Sequence, residues 1–151
     1  MSIEKEINQE RFINEYQKSV INLIYTSNWI NERIKGFLDR FDITSQQFNI
    51  LRILRGAGEP LSTLKIRQRM LDKMSDTSRI VDRLVKKGLA TKVLCKTDKR
   101  LVDVTITDKG RKLLEDLDKF QDEMDGILKN LSTEEASSLN NLLDKIRTVQ
   151  S

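Results

Sequence analysis

From residue 13 to residue 41, apolar side chains recur at alternating intervals of three and four. The series is Ile13, Tyr16, Val20, Leu23, Ser27, Ile30, Ile34, Phe37 and Phe41, with only Ser27 polar among its members. That spacing is one face of an amphipathic helix with a near-heptad seam. Ile24, Trp29 and Leu38 widen the stripe beyond what a narrow two-stranded seam needs. Read as one helix over residues 9–41, about thirty residues at 1.5 Å each give a rod ~45 Å long. A compact domain built from a 151-residue chain cannot cover such a rod, so a partner helix is expected.

The remaining chain sorts into short elements. Phe41-Asp42-Ile43 breaks the long period, and Thr44-Ser45-Gln46-Gln47 reads as a capping box ahead of Phe48, Leu51 and Leu54. Gly56-Ala57-Gly58-Glu59-Pro60 closes that helix. A short helix is expected from a Ser62 N-cap through Met70, then a connection over Leu71–Met74. A third helix follows over Asp76–Lys87 with Ser75 as its cap and Gly88 as its left-handed exit. Residues 89–95 and 101–106 then change period: Val102, Val104 and Ile106 alternate with Asp103 and Thr105, as strands do. The charged run Lys96–Arg100 joins them as a hairpin tip. From Thr107 the helical period returns and runs to Leu131, and Ser132–Glu135 opens a last helix as a second capping box. The expected fold class is mainly α with one small β-hairpin.

Charge is unevenly placed along these elements. The net is +4 for the whole chain, but residues 1–59 sum to 0, residues 60–112 to +9 and residues 113–151 to −5. A basic middle between a neutral and an acidic segment points to a polyanion as partner. Composition removes several other functions. No histidine is present, which excludes Ser-His-Asp and Cys-His catalysis and His-based metal sites. One cysteine, Cys95, excludes an internal disulfide and an all-Cys zinc site, and fits a reducing cytoplasm. No P-loop or dinucleotide glycine pattern occurs, and no apolar run is long enough to span a membrane or form a signal core. Expected, then, is a cytoplasmic non-enzyme that needs no cofactor and no metal.

Two short helices joined by a tight turn and followed at once by a hairpin describe a winged helix-turn-helix. In such a unit the second helix offers its N-terminal residues to base edges in the major groove. Here those residues are Ser75, Asp76, Thr77, Ser78 and Arg79, with Arg83 one turn on. Ser and Thr bond phosphates or bases, and Arg takes guanine bidentately. Asp76 has three possible roles: capping the helix, accepting from a cytosine amino group, or orienting Arg79. At the hairpin tip Arg100 suits the narrow minor groove, with Lys96 and Lys99 beside it for phosphates. Asp98, two residues earlier, either holds that guanidinium or merely staples the turn.

The run Asp76-Thr77-Ser78-Arg79-Ile80-Val81-Asp82-Arg83-Leu84-Val85-Lys86-Lys87-Gly88-Leu89 resembles the recognition helix and exit of the MarR family of winged-helix transcriptional regulators. Asp98-Lys99-Arg100 with Val102 to Gly110 is similar to that family's wing and the start of its next helix, and Thr44–Phe48 to its lead-in. The resemblance implies a winged helix-turn-helix over 44–112, flanked by dimerisation helices over 1–41 and 113–151. It further implies a homodimer, a pseudo-palindromic operator in double-stranded DNA, and repression. The wing arginine entering the minor groove and the aspartate orienting it carry over to Arg100 and Asp98, and a phosphate contact to Lys92. Arg67 stands where the family has a small alanine, and the turn over Leu71–Met74 has no glycine.

A small aromatic or phenolic effector is also implied, and Tyr25, Trp29 and Phe48 are its candidate lining, although aromatics at helical spacing are ordinarily core. Cys95 on a wing strand reads as a small half-buried residue rather than a redox sensor. The rival function is a protein–protein adaptor built on a winged helix that no longer binds DNA. A carboxylate-based hydrolase is disfavoured because Asp and Glu fall on solvent-facing helix positions.

Overall fold

The computed structural model describes residues 1–94, 96–98 and 102–149. The chain divides into two compact units, Met1–Asp118 and Lys119–Ser151.

The first unit opens with a single helical turn, α1 (Ile3–Glu6), and the long α2 (Glu15–Asp39). α2 has 25 residues, fewer than the stripe suggests. Its start is set by Asn14, whose side chain accepts from the Gln17 N–H at 2.9 Å, while Gln17 Oε1 accepts from the Ile13 N–H at 2.7 Å. This reciprocal cap leaves residues 9–13 outside the helix. α1 lies along α2: Ile3 is buried, Glu4 pairs with Lys18, and Tyr25 donates to Glu6 at 2.9 Å.

α3 (Ser45–Ala57) begins at the expected capping box, with Thr44 Oγ1 accepting from the Gln47 N–H and Gln47 Oε1 from the Thr44 N–H. Ile50, Leu51 and Leu54 are its buried face, against which α5, α6 and β3 pack. β1 (Leu61–Ser62) leads directly into α4 (Thr63–Arg69), with Ser62 as cap as expected. α5 (Thr77–Lys86) follows, then β2 (Ala90–Leu94), β3 (Val102–Ile106) and α6 (Asp108–Asp118). The sheet is antiparallel in the order β1-β3-β2, with Ala90 opposite Ile106, Leu94 opposite Val102 and Leu61 opposite Val104. The expected hairpin is thus two strands of three. The third is two residues long and pairs at a distance of some forty positions, too short to leave a local pattern.

Geometry requires glycine at both ends of the segment that links α5 to α6. Gly88, at φ 73°, ends α5 in the left-handed region that a glycine adopts without strain. Gly110 sits against the backbone between α5 and β2: an added Cβ would lie 2.4 Å from the Leu89 carbonyl oxygen and 2.8 Å from Ile106 Cγ1.

In the second unit the helical period of the sequence is interrupted. α6 stops at Asp118, one residue past its last buried side chain, Leu117. Beyond it come α7 (Gln121–Asp125), a 3₁₀ turn (Gly126–Leu128) and α8 (Thr133–Ile146), not one helix from Thr107 to Leu131. A stripe holds a helix together mainly through what it packs on, and α7 buries none of its residues. Gly126 lowers the local helix preference further. α8 opens on the Ser132–Glu135 capping box as expected, with both reciprocal bonds formed. Its Leu142 and Ile146, and Val149 beyond it, are exposed. Among the described residues no helix is long and apolar enough to cross a membrane.

Candidate nucleic-acid interface

α5 is divided cleanly between an inner and an outer face. Thr77, Ile80, Val81 and Leu84 are buried against α3 and α4, while Ser78, Arg79, Asp82, Arg83 and Lys86 face solvent. The inner face anchors the helix, and the outer face presents three cations, a hydroxyl and the Asp82 carboxylate.

The first turn of α5 differs from expectation. The N-cap is Asp76, not Ser75: its carboxylate accepts from the Arg79 N–H at 3.3 Å, with Oδ2 also 3.7 Å from Arg79 Nε. Of the three roles open to Asp76, capping and a loose hold on Arg79 are the ones its geometry provides. An acceptor carboxylate at a helix N-terminus also meets the positive end of the dipole. Ser75 is turned inward, its Oγ donating to the Asp72 carbonyl at 2.8 Å. Thr77 is buried as well, and its Oγ1 has no hydrogen-bond partner among the described residues. Neither Ser75 nor Thr77 offers its hydroxyl to a molecule outside, so the first turn projects only Asp76, Ser78 and Arg79.

The turn that carries α5 is built without glycine. Asp72 Oδ1 accepts from the Met74 N–H at 3.0 Å, an Asx-type turn that mimics a backbone bond. Asn49 Oδ1 accepts from the Leu71 N–H at 2.9 Å and so fixes the turn to α3. At the other end of α5, Lys87 Nζ reaches the turn between α2 and α3. It donates to the Asp42 carbonyl and to Gln47 Oε1, the latter at 3.3 Å, where Asp42 itself is left-handed at φ 53°. Lys109 Nζ donates to the Lys87 carbonyl at 2.8 Å. Both ends of the helix are therefore held by side chains from outside it.

On the sheet, Lys92 Nζ lies 2.5 Å from Asp82 Oδ1, so its charge is already shared with α5. The two line a cleft of about 470 Å³ together with Arg79, Arg83 and Lys86. Lys96 is exposed and Asp98 half-buried on the loop beyond β2. The expectations for Lys99, Arg100 and Cys95 lie outside the described residues.

The candidate effector residues separate. Tyr25 and Trp29 share a cleft of about 250 Å³ with Ile3, Asn22 and Thr26. The Glu6 carboxylate, accepting from the Tyr25 hydroxyl, holds its pKa above the ordinary tyrosine value. The Arg33 guanidinium stacks on Trp29 at 3.3 Å from the ring centroid. Phe48 is not part of this cleft; it sits half-buried on α3 with Arg52 over its ring at 5.6 Å.

Other residues meet at the same outer face that the sequence did not mark as candidate contacts. Leu64, Arg67 and Met74 border one cleft with Ser78, and the Lys87 contacts cross some forty positions. Exposure of Leu64 has no local signature, because an apolar residue in a short helix reads as core.

The MarR family model matches residues 41–101, a segment that includes α3, α4, α5 and β2. The multiple antibiotic resistance protein MarR of Salmonella typhimurium is 32% identical over 127 residues, which cover 82% of this chain and 88% of that protein. A MarR variant of Escherichia coli, solved in complex with operator DNA, has the same fold at TM-score 0.82 and 24% identity, covering 92% of this chain and all of that one. The Staphylococcus aureus MepR–DNA complex superposes at TM-score 0.72 with 25% identity, covering 90% of this chain and 97% of that one.

Proposed function

The chain belongs to the MarR family of winged helix-turn-helix transcriptional regulators, and we propose that it acts as a homodimeric repressor on a pseudo-palindromic operator in double-stranded DNA. The observation that carries this reading is the outer face of α5, where Ser78, Arg79, Arg83 and Lys86 stand exposed on a helix whose opposite face is buried. Set in the major groove, that face puts Ser78 and Arg79 at base edges and Arg83 and Lys86 at phosphates. Arg100, held by Asp98, enters the adjacent minor groove, and Lys96 and Lys99 neutralise phosphates beside it. Lys92 acts through Asp82, which it partly neutralises, more than through a phosphate of its own.

Two copies join through the apolar faces of their terminal helices, which places the two α5 helices about 34 Å apart, one turn of B-DNA. Work on DNA places the protein in the cytoplasm. Its effector is a small aromatic or phenolic compound bound at the Tyr25–Trp29 cleft. A ligand that binds one spacing of the dimer better than another shifts operator affinity by that difference. The Lys87 contacts to Asp42 and Gln47 tie the end of α5 to the turn between α2 and α3 and to α3 itself, and give such a shift a route to the DNA.

Selection of binding sites from random duplexes tests this reading. A two-fold symmetric consensus with half-sites one turn apart is expected. Failure to enrich any sequence, with salt-insensitive association, would favour a protein–protein adaptor instead.

A further inference from the structure

Two apolar side chains stand open to solvent beside the outer face of α5. Leu64 on α4 is 58% exposed, and Met74, two residues before the Asp76 cap, is 93% exposed. Both border a cleft of about 420 Å³ between α4 and the first turn of α5, where they are the two apolar side chains among Thr63, Arg67, Ser75, Asp76, Thr77 and Ser78. Isolated exposed apolar residues are common on any surface. These two share one cleft with groups that the proposed docking directs at DNA, within the segment of net charge +9.

The chemistry of the groove limits what can fill such a cleft. Along the major-groove edges of the base pairs, every group is a hydrogen-bond donor or acceptor except one, the 5-methyl of thymine. Apolar side chains placed there gain by meeting that methyl and lose by meeting polar edges. The first turn of α5 also has few polar readers left, since Ser75 and Thr77 are buried. Met suits the role because its flexible thioether chain adapts to the exact position of the methyl. Arg67 brings a cation to the same cleft.

We infer that the cleft between Leu64 and Met74 receives the 5-methyl group of one thymine in each operator half-site, which makes these residues determinants of sequence specificity. The inference rests on the DNA-binding reading of α5 and adds the base that the cleft selects.

The test takes the duplex obtained by selection and replaces each thymine in turn with deoxyuridine, a change of one methyl group. For the native protein one position per half-site should weaken binding about three- to five-fold, the worth of one buried methyl. Met74→Ala should bind the thymine duplex weaker by a similar factor and should no longer distinguish uracil from thymine there. Leu64→Ala should behave alike, and because both side chains are exposed, both variants should melt as the native protein does. Indifference of the native protein to uracil at every position overturns the inference, as does a Met74→Ala protein that keeps the full uracil penalty. A symmetric consensus without thymine overturns it too, while leaving the regulator reading intact. Binding to no duplex at all removes both.

Discussion

α5 and α2 are both amphipathic, yet they stand in opposite relation to their surroundings. α5 buries its apolar face within its own unit and turns its charges outward. α2 buries only Phe37 and Leu38 near its end, while Tyr16, Val20, Leu23 and Ile24 remain exposed over its first half, with Ile13 just before them. One helix is complete as an element of a single chain and incomplete only toward a polyanion. The other leaves its apolar face open to solvent over its first half. The proposed reading supplies a complementary partner to each: a second copy along α2 and DNA beneath α5.

That contrast is broken most severely by emptying the buried side of α5. Leu84 is fully buried, and Leu84→Ala should lower stability by about 2–5 kcal/mol, read as the midpoint of urea unfolding. Unchanged stability would mean that α5 is not anchored as described. Introducing charge on α2 tests the other half. Val20→Asp with Leu23→Asp should raise the dimer dissociation constant at least a hundred-fold, about 2.7 kcal/mol, in sedimentation equilibrium. The α5 core should be untouched, and a dimer of native affinity would show that the association uses another face.

Smaller effects sharpen the outward side of the comparison. Arg100→Ala should weaken operator binding by about 1–3 kcal/mol while the dimer persists, and an unchanged gel-shift midpoint would remove the wing from the interface. Arg79→Ala should cost more on operator than on random duplex. Equal losses on the two would make Arg79 a phosphate contact rather than a base reader. Asp76→Ala should destabilise the fold by about 1 kcal/mol through loss of the cap, seen as a lower thermal midpoint. A variant melting with the native protein would transfer the capping role back to Ser75.

Local patterns made much of this legible from residues alone. The Thr44 and Ser132 capping boxes, the Ser62 cap, the Gly88 exit and the Val102-Val104-Ile106 alternation each involve neighbours in sequence, and each appears in the fold. What stayed hidden depends on distant partners. β1 becomes a strand only because Val104 lies opposite Leu61. Ser75 and Asp76 are both good caps, and the choice falls to Asp76 because Asp72 draws the Ser75 hydroxyl inward. Thr77 reads as a polar surface residue but falls on the buried side of α5, and Lys92 reads as a free cation but faces Asp82. The helix beyond Asp118 keeps its period without keeping its packing, so periodicity overstated its length. The family resemblance indicated the kind of site; only the structure separates Tyr25 and Trp29 from Phe48.

The most direct test of the account is the salt dependence of DNA binding by the intact dimer. Affinity for the selected operator should fall linearly on a log–log plot as salt rises, with a slope near −5 if about six phosphates are neutralised at roughly −0.9 each. Random duplex should show weaker binding with a similarly steep slope. A slope near zero on both duplexes would contradict the assignment of the exposed α5 face and the wing to DNA.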